Sequence, residues 1–362
     1  MGVGDEVRVL HINDCAFTTT NLMGVARRRH LPWRYRPLAV TDPGWVGTQR
    51  WVRRGARGVA WLAGLALDAT RADLMHVHFA TVTRHTSWVP RPVVLHLHGT
   101  DARSYQYDRQ LGPLVRRAID TADAVLYSTP DLAEHVRRRP DAQLLPVPID
   151  TEALPAWAPA ERPRVFFASR WEPVKGLEVQ LATARAIQHR APEAELVGIR
   201  WGSGAEQASA AGVRLLPRLP HSAFLAELAQ AHVVVGQPTG MLAASELEAV
   251  GMGVPVVAPV RAGWYSESGA AVPPVLGGVD IARAHALPPQ DPATSADPAL
   301  TVAQSEALGG RLASHVASAL SDPEAVSTEL AGAAWVAAEH SSARGVDRLL
   351  QLYAAIMAGR RR

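Results

Sequence analysis

A twice-repeated alternation of short apolar runs with stretches of helical period constrains this chain most. "VRVLHI" at 7–12, "LMHVHFA" at 74–80, "PVVLHLHG" at 92–99 and "AVLYST" at 124–129 are too short for helices and end in polar or glycine residues. Helical spacing occupies the gaps, in "LMGVARRR", "LGPLVRRAIDTA" and "PDLAEHVRRR", and "AQLLPVPID" at 142–150 closes the series. Strands this apolar need cover on both faces, and alternating helices supply it, so the pattern predicts a parallel sheet between helix layers. The proline- and alanine-rich "TEALPAWAPAERP" at 151–163 reads as an interdomain connection. The alternation then restarts with "RVFFAS", "GLEVQLATARAIQ", "AELVGI", "SAFLAELAQA", "VVVGQ", a helix near 243–251 and "PVVAPV". Two doubly wound domains are predicted, with a cleft between the carboxyl ends of their sheets, where such folds bind ligands. The segment 263–301 reads as loop, and "SARGVDRLLQLYAAIMAG" as an amphipathic helix with a basic tail that returns to the first domain.

The length of 362 residues accommodates two domains. They are expected at 1–155 and 156–345, with the last helix and tail at 346–362. A 48% hydrophobic and 20% charged composition excludes a disordered chain and fits a globular enzyme. No apolar run is long enough to span a bilayer, the start "MGVGDEVRVLHI" lacks the pattern of a secretory signal, and Cys15 has no partner for a disulfide. A cytoplasmic protein, monomeric or homodimeric, is expected. Residues 1–150 hold 20 arginines and 14 acids, a net +6, and the remainder is net −3. That asymmetry points to an anionic partner, a nucleoside diphosphate or an anionic lipid surface. No nucleic-acid motif accompanies it. The basic, apolar stretch "RWVRRGARGVAWLAGLAL" at 50–67 reads either as a covering helix or as a weak membrane-surface contact.

Lys175, in "ASRWEPVKGLEV", is the only lysine in the chain. Arg170 follows a predicted strand and Lys175–Gly176 opens the next helix. This arrangement aims two cations and a helix start at the cleft, as a diphosphate requires. Glu248, in "SELEAVGMGVPVV", sits on a helix that leads through Gly253 and Pro255 into a strand.

These residues resemble the retaining GT-B glycosyltransferases of glycosyltransferase family 4. The "R-x4-KG" and "LEA-x-x-x-G-x-PVV" elements match in order, and "HLHGTDAR" at 96–103 is similar to the family's His-Gly-x-Asp turn. The resemblance spans essentially the whole chain. It implies that a sugar leaves a nucleoside diphosphate, that Arg170 and Lys175 stabilise the leaving group, and that Glu248 accepts hydrogen bonds from the ribose hydroxyls. It also implies that His98 faces the transferred sugar and acceptor, and that the departing phosphate deprotonates the acceptor without an enzymic nucleophile. No Asp-x-Asp occurs, so metal-independent transfer without a cofactor is expected. The acceptor is expected to be a small molecule, such as a natural product, or lipid-linked. A non-catalytic sugar-nucleotide-binding module and a nucleotide-sugar epimerase of the same fold are the alternatives.

The chain departs from the family's Glu-x7-Glu pair. Gly240 stands where the first glutamate is expected, and Glu246 has the wrong spacing to replace it. Backbone N–H groups around Thr239, Gly240, Met241, Leu242 and Ala243, together with Gly202, are then the expected donor contacts. Asp14, Thr18 and Thr19, in "NDCAFTTTN", are the expected acceptor-side residues. Asp101 reads either as an acceptor contact or as a turn-capping aspartate. The His-x-His pairs His76/His78 and His96/His98 put two rings on one face of each strand. No third ligand type clusters with them in the sequence, so no metal site is expected, and His76, His78 and His96 are expected to be core residues.

Overall fold

A computed structural model describes residues 7–38, 47–277 and 300–360. The chain forms two units. One takes the chain up to Asp150 and resumes at Ser342; the other is Thr151–Ser341.

In the first unit the strands are β1 (Val9–Ile12), β2 (Trp33–Arg36), β3 (Leu74–His78), β4 (Val93–Leu97), β5 (Ala124–Tyr127) and β6 (Gln143–Leu144). They pair in parallel in the order β2-β1-β3-β4-β5-β6. The apolar residues of each strand divide by alternation. Val9, Leu74 and Val94 pack with Leu22, Val25, Val346, Leu349 and Tyr353. Leu10, Ile12, Met75 and Val77 pack on the other face with Leu65 and Val89. The helices Thr18–Arg28 and Ser342–Gly359 therefore cover the same face, and the C-terminal helix completes this unit. The order reverses between β1 and β3, which makes their carboxyl ends the switch point.

The second unit has β7 (Arg164–Phe167), β8 (Glu195–Ile199), β9 (Arg214–Leu216), β10 (Val233–Val235) and β11 (Val256–Val257), all parallel in the order β11-β10-β7-β8-β9. Its switch point lies between β7 and β10. Val165, Phe167, Leu196 and Val235 form the core with Leu181 and Ile187 of the helix Leu177–Arg190 and with Leu308, Leu312 and Val316 of the helix Val302–Ser321.

The strands that the sequence reading does not find are β2 and β9. "WRYR" and "RLL" carry arginines because both strands lie at sheet edges, where one side of the backbone is unpaired. "PDLAEHVRRR" forms a 3₁₀ segment, Pro130–Val136, instead of an α-helix. The proline-rich connection is strapped along the second unit. Trp157 Nε1 donates to Ala231 O at 2.8 Å, and the N–H groups of Ala158 and Ala160 donate to Ala229 O and Gln230 O. Within 263–301, a helix runs from Ala262 to Ser268, and 278–299 lie outside the described residues. Among the described residues no helix is long and apolar enough to cross a membrane.

Candidate functional site

In the second unit the chain leaves β7 through Ala168–Arg170, turns through the 3₁₀ segment Pro173–Lys175 and enters its helix at Leu177. Gly176 takes φ 71°, and a Cβ there would lie 2.5 Å from Pro238 Cγ. Only glycine allows both the left-handed turn and this approach of the loop after β10. The approach lets Lys175 Nζ donate to Gln237 Oε1 at 2.8 Å, across the switch point between β7 and β10. The Arg170 guanidinium lies 5.0 Å from the Trp201 ring centroid and that of Arg218 4.3 Å from it, so one indole carries two cations. Glu172 stands 3.5 Å from Arg170. Gly202 takes φ 115° where a Cβ would collide with Trp171, whose N–H donates to Trp201 O at 2.9 Å. Gly202 thus shapes the turn that carries Trp201.

The loop 237–243 is tied down by Glu246. Its buried carboxylate accepts from Gln237 N at 2.9 Å and from Ala243 N at 3.0 Å. It anchors the loop to the helix that carries it. Gly240 takes φ 86°, its carbonyl accepts from Arg261 N at 2.7 Å, and a Cβ would stand 2.9 Å from the Trp264 ring. A glutamate side chain has no room there. Leu242 N donates to the Tyr265 hydroxyl at 3.3 Å, and Met241 O accepts from Gln237 Nε2 at 3.3 Å. Two of the expected backbone donors, Leu242 N and Ala243 N, are therefore already bonded within the unit. The Thr239 hydroxyl is buried without a protein partner. Glu248 is buried on the helix Ala244–Met252, and its Oε1 lies 2.8 Å from His221 Nε2.

In the first unit the loop after β1 holds the expected acceptor-side residues. Asp14 caps the helix Thr18–Arg28, accepting from Thr19 N at 2.9 Å and from the Thr20 hydroxyl at 2.6 Å. The Thr19 hydroxyl donates to Asn13 O at 2.8 Å, whereas the buried Thr18 hydroxyl has no protein partner. Asp101 accepts from the backbone N–H groups of Ala80, His98, Gly99 and Ala102, each at 3.0 Å. Its carboxylate is spent on holding the turn after β4. Burial raises its pKa and these four bonds oppose the rise.

His98 begins that turn. Its Nε2 lies 3.1 Å from His78 Nδ1. Burial pushes its pKa down to about 3. It does not stand alone: His11, His76, His78, His96 and His98 form one stack on the face covered by the C-terminal helix. Ring centroids of successive members lie 4.3–5.5 Å apart.

The sequence reading misses His11, Trp201, Arg218, His221 and Gln237. The register His11↔His76 and His78↔His96 brings the histidines together, and register is not written in either strand alone.

No protein-family model matches the chain, and no curated protein matches it in sequence. Solved structures match it over almost its whole length. Sucrose-phosphate synthase of Thermosynechococcus elongatus is 15% identical with a TM-score of 0.62, covering 97% of this chain and 100% of that one. Anabaena HepE is 14% identical with a TM-score of 0.62, covering 96% and 99%. The fold is GT-B. The GT-B likeness also extends to a Listeria monocytogenes chain provisionally assigned as a UDP-N-acetylglucosamine 2-epimerase, at 14% identity and a TM-score of 0.53, covering 95% of each chain. At such identities the GT-B match speaks for the architecture alone.

Proposed function

We propose that this chain is a retaining, metal-independent glycosyltransferase that uses a nucleoside-diphosphate sugar. The observation that carries this reading is the bond from Lys175 to Gln237 across the β7–β10 switch point, with Arg170 and Arg218 on the adjacent Trp201. Three cations at the carboxyl edge of a doubly wound sheet suit a diphosphate, whose charge grows as the sugar–phosphate bond breaks. Arg170 and Lys175 stabilise that charge, and Glu248 Oε2 takes a ribose hydroxyl. The Thr239 hydroxyl, Gly202 and the loop 239–243 line the donor. His98 Nδ1 faces the acceptor, and Asp14, Thr18, Thr19 and Asp101 shape the turns that present it. HepE is crystallised with UDP and with UDP-glucose, so a uridine donor is the first to test.

The acceptor reading favours a lipid-linked molecule. Along the helix Gly47–Thr70, Trp51 is 71%, Val52 73% and Val59 68% exposed, with Arg50, Arg53, Arg54 and Arg57 on the same turns. An apolar arc beside a basic one suits an anionic membrane surface. Binding to phosphatidylglycerol vesicles, weakened in Trp51→Asp/Val59→Asp, supports this contact; equal binding of both proteins rejects it.

The test of the whole reading is transfer from UDP-, GDP-, ADP- and dTDP-sugars with EDTA present. Product with the donor's anomeric configuration supports it. Activity that vanishes with EDTA and returns with manganese overturns metal independence. Release of the 2-epimer without transfer indicates an epimerase, and donor binding without turnover indicates a non-catalytic module.

A further inference from the structure

The geometry points to a transition-metal site in the first unit, in which His78, His96 and His98 ligate one borderline divalent ion, zinc foremost. Among the described residues, two groups of three histidines bring one ligand nitrogen each within 4.8 Å of one another: His11, His76 and His78, and His78, His96 and His98. The inference does not depend on the transferase reading.

Two independent observations converge on it. The first is unmet bonding capacity. Both ring nitrogens of His96 are buried without a partner, as are Nε2 of His11 and Nε2 of His76. A neutral imidazole always carries one N–H donor and one lone pair, and His96 has no protein acceptor or donor for either. Buried polar atoms in native proteins are nearly always satisfied, and His96 leaves two unsatisfied in one ring.

The second is spacing. Zinc–imidazole bonds of about 2.0–2.1 Å in a tetrahedral site put ligand nitrogens roughly 3.3 Å apart. The Nδ1 of His78 and the Nε2 of His98 are 3.1 Å apart. That contact is as close to a shared metal as to an N–H···N bond, and the His96 ring lies tilted by 35° against that of His98 with centroids 4.3 Å apart.

Of the two groups, the one with His98 has the entry path, because His98 is partly exposed while His11, His76 and His78 are wholly buried. His11 is then a supporting ring, its Nδ1 3.1 Å from His78 Nε2, the nitrogen opposite the proposed ligand atom. His76 is held by the Tyr353 hydroxyl at 2.6 Å. Asp101, bonded to the His98 backbone N–H, brings a carboxylate next to the site to offset the cation. Three imidazoles suit zinc, nickel, cobalt or copper over calcium or magnesium, which take oxygen ligands. Three protein ligands leave the fourth position to water.

The experiment uses full-length, untagged protein stripped with a chelator, titrated with zinc against a fluorescent competitor chelator and separately with cobalt. The expected result is one equivalent of zinc, a higher melting temperature, and the intense visible spectrum of four-coordinate cobalt. His78→Ala and His96→Gln should each weaken zinc binding by about 100-fold, while the exposed His189→Gln leaves it unchanged. Cobalt that keeps the pale spectrum of the hexaaqua ion in wild-type protein overturns the site, whether or not the variants fold. So does zinc affinity unaffected by His96→Gln, or lost in His189→Gln.

Discussion

Replacing Lys175 separates what the ammonium does for the fold from what it does for the reaction. In the ground state its Nζ bonds Gln237 Oε1 at 2.8 Å, and its carbonyl accepts from Gln180 Nε2 at 2.7 Å. Lys175→Ala removes the first of these and keeps the second. A hydrogen bond to a charged group contributes about 1.5–3 kcal/mol, and the lower end applies because Lys175 is half-exposed. That corresponds to a fall of roughly 3–6 °C in the melting temperature of a unit this size. The transition-state loss is larger. One electrostatic contact to a developing anion is worth about 2.7–4 kcal/mol, or about 10²–10³ in rate. Gln237→Ala removes the tether and keeps the charge, so its loss of stability should match Lys175→Ala while its loss of rate is smaller. Lys175→Arg keeps the charge, but a planar guanidinium must fit where Gly176 already admits Pro238 at the limit of contact. It should lose about ten-fold or more in rate. Single-turnover transfer at saturating donor gives the rate, and thermal melts with circular dichroism give the fold. Wild-type transfer by Lys175→Arg would show that the lone lysine has no steric reason. A Lys175→Ala protein that melts early but transfers normally would remove the phosphate role altogether.

Glu248→Ala should raise the donor dissociation constant about ten-fold, because a charged hydrogen bond to ribose is lost; unchanged affinity in calorimetry contradicts the ribose contact. Gly176→Ala should destabilise by at least about 1–2 kcal/mol from the left-handed φ alone, with loss of donor affinity as the 237–243 loop is pushed away; a melting curve identical to wild type refutes the close approach to Pro238. Burial holds His135 at a pKa of about 4, with Asp131 opposing and Arg103 and Arg137 reinforcing the shift. The unfolded chain therefore binds the extra proton, so the contribution of His135 is complete above about pH 6.5 and is lost as the pH falls towards 4, with a slope of up to about 1.4 kcal/mol per pH unit. His135→Gln should flatten denaturant-derived stability over that window, and an unchanged profile rejects the assignment.

The interior strands are legible in the sequence because both faces are buried, and burial writes a continuous apolar run such as "VVLHL" or "RVFF". Two of the four edge strands are not, since β2 and β9 carry solvated arginines in place of such a run. Lys175, Arg170 and Glu248 are found by motif spacing, but their partners come from elsewhere. Arg218 and Trp201 meet Arg170 only when β7, β8 and β9 align, and His221 reaches Glu248 across 27 residues of chain. The spacing argument detects that Gly240 departs from a glutamate; the Trp264 ring beside it explains why no side chain can extend from that position.

The chain enters the first unit, leaves it for Thr151–Ser341 and comes back with Ser342–Gly359. Read as a timetable of synthesis, this order has a consequence. The sheet translated first lacks Val346, Leu349 and the Tyr353 hydroxyl that holds His76 until the whole second unit has been translated. The half begun earliest is therefore the one whose core stays unsealed longest. Stop codons placed just before Ser342 should yield a protein whose second unit resists protease while the first is digested.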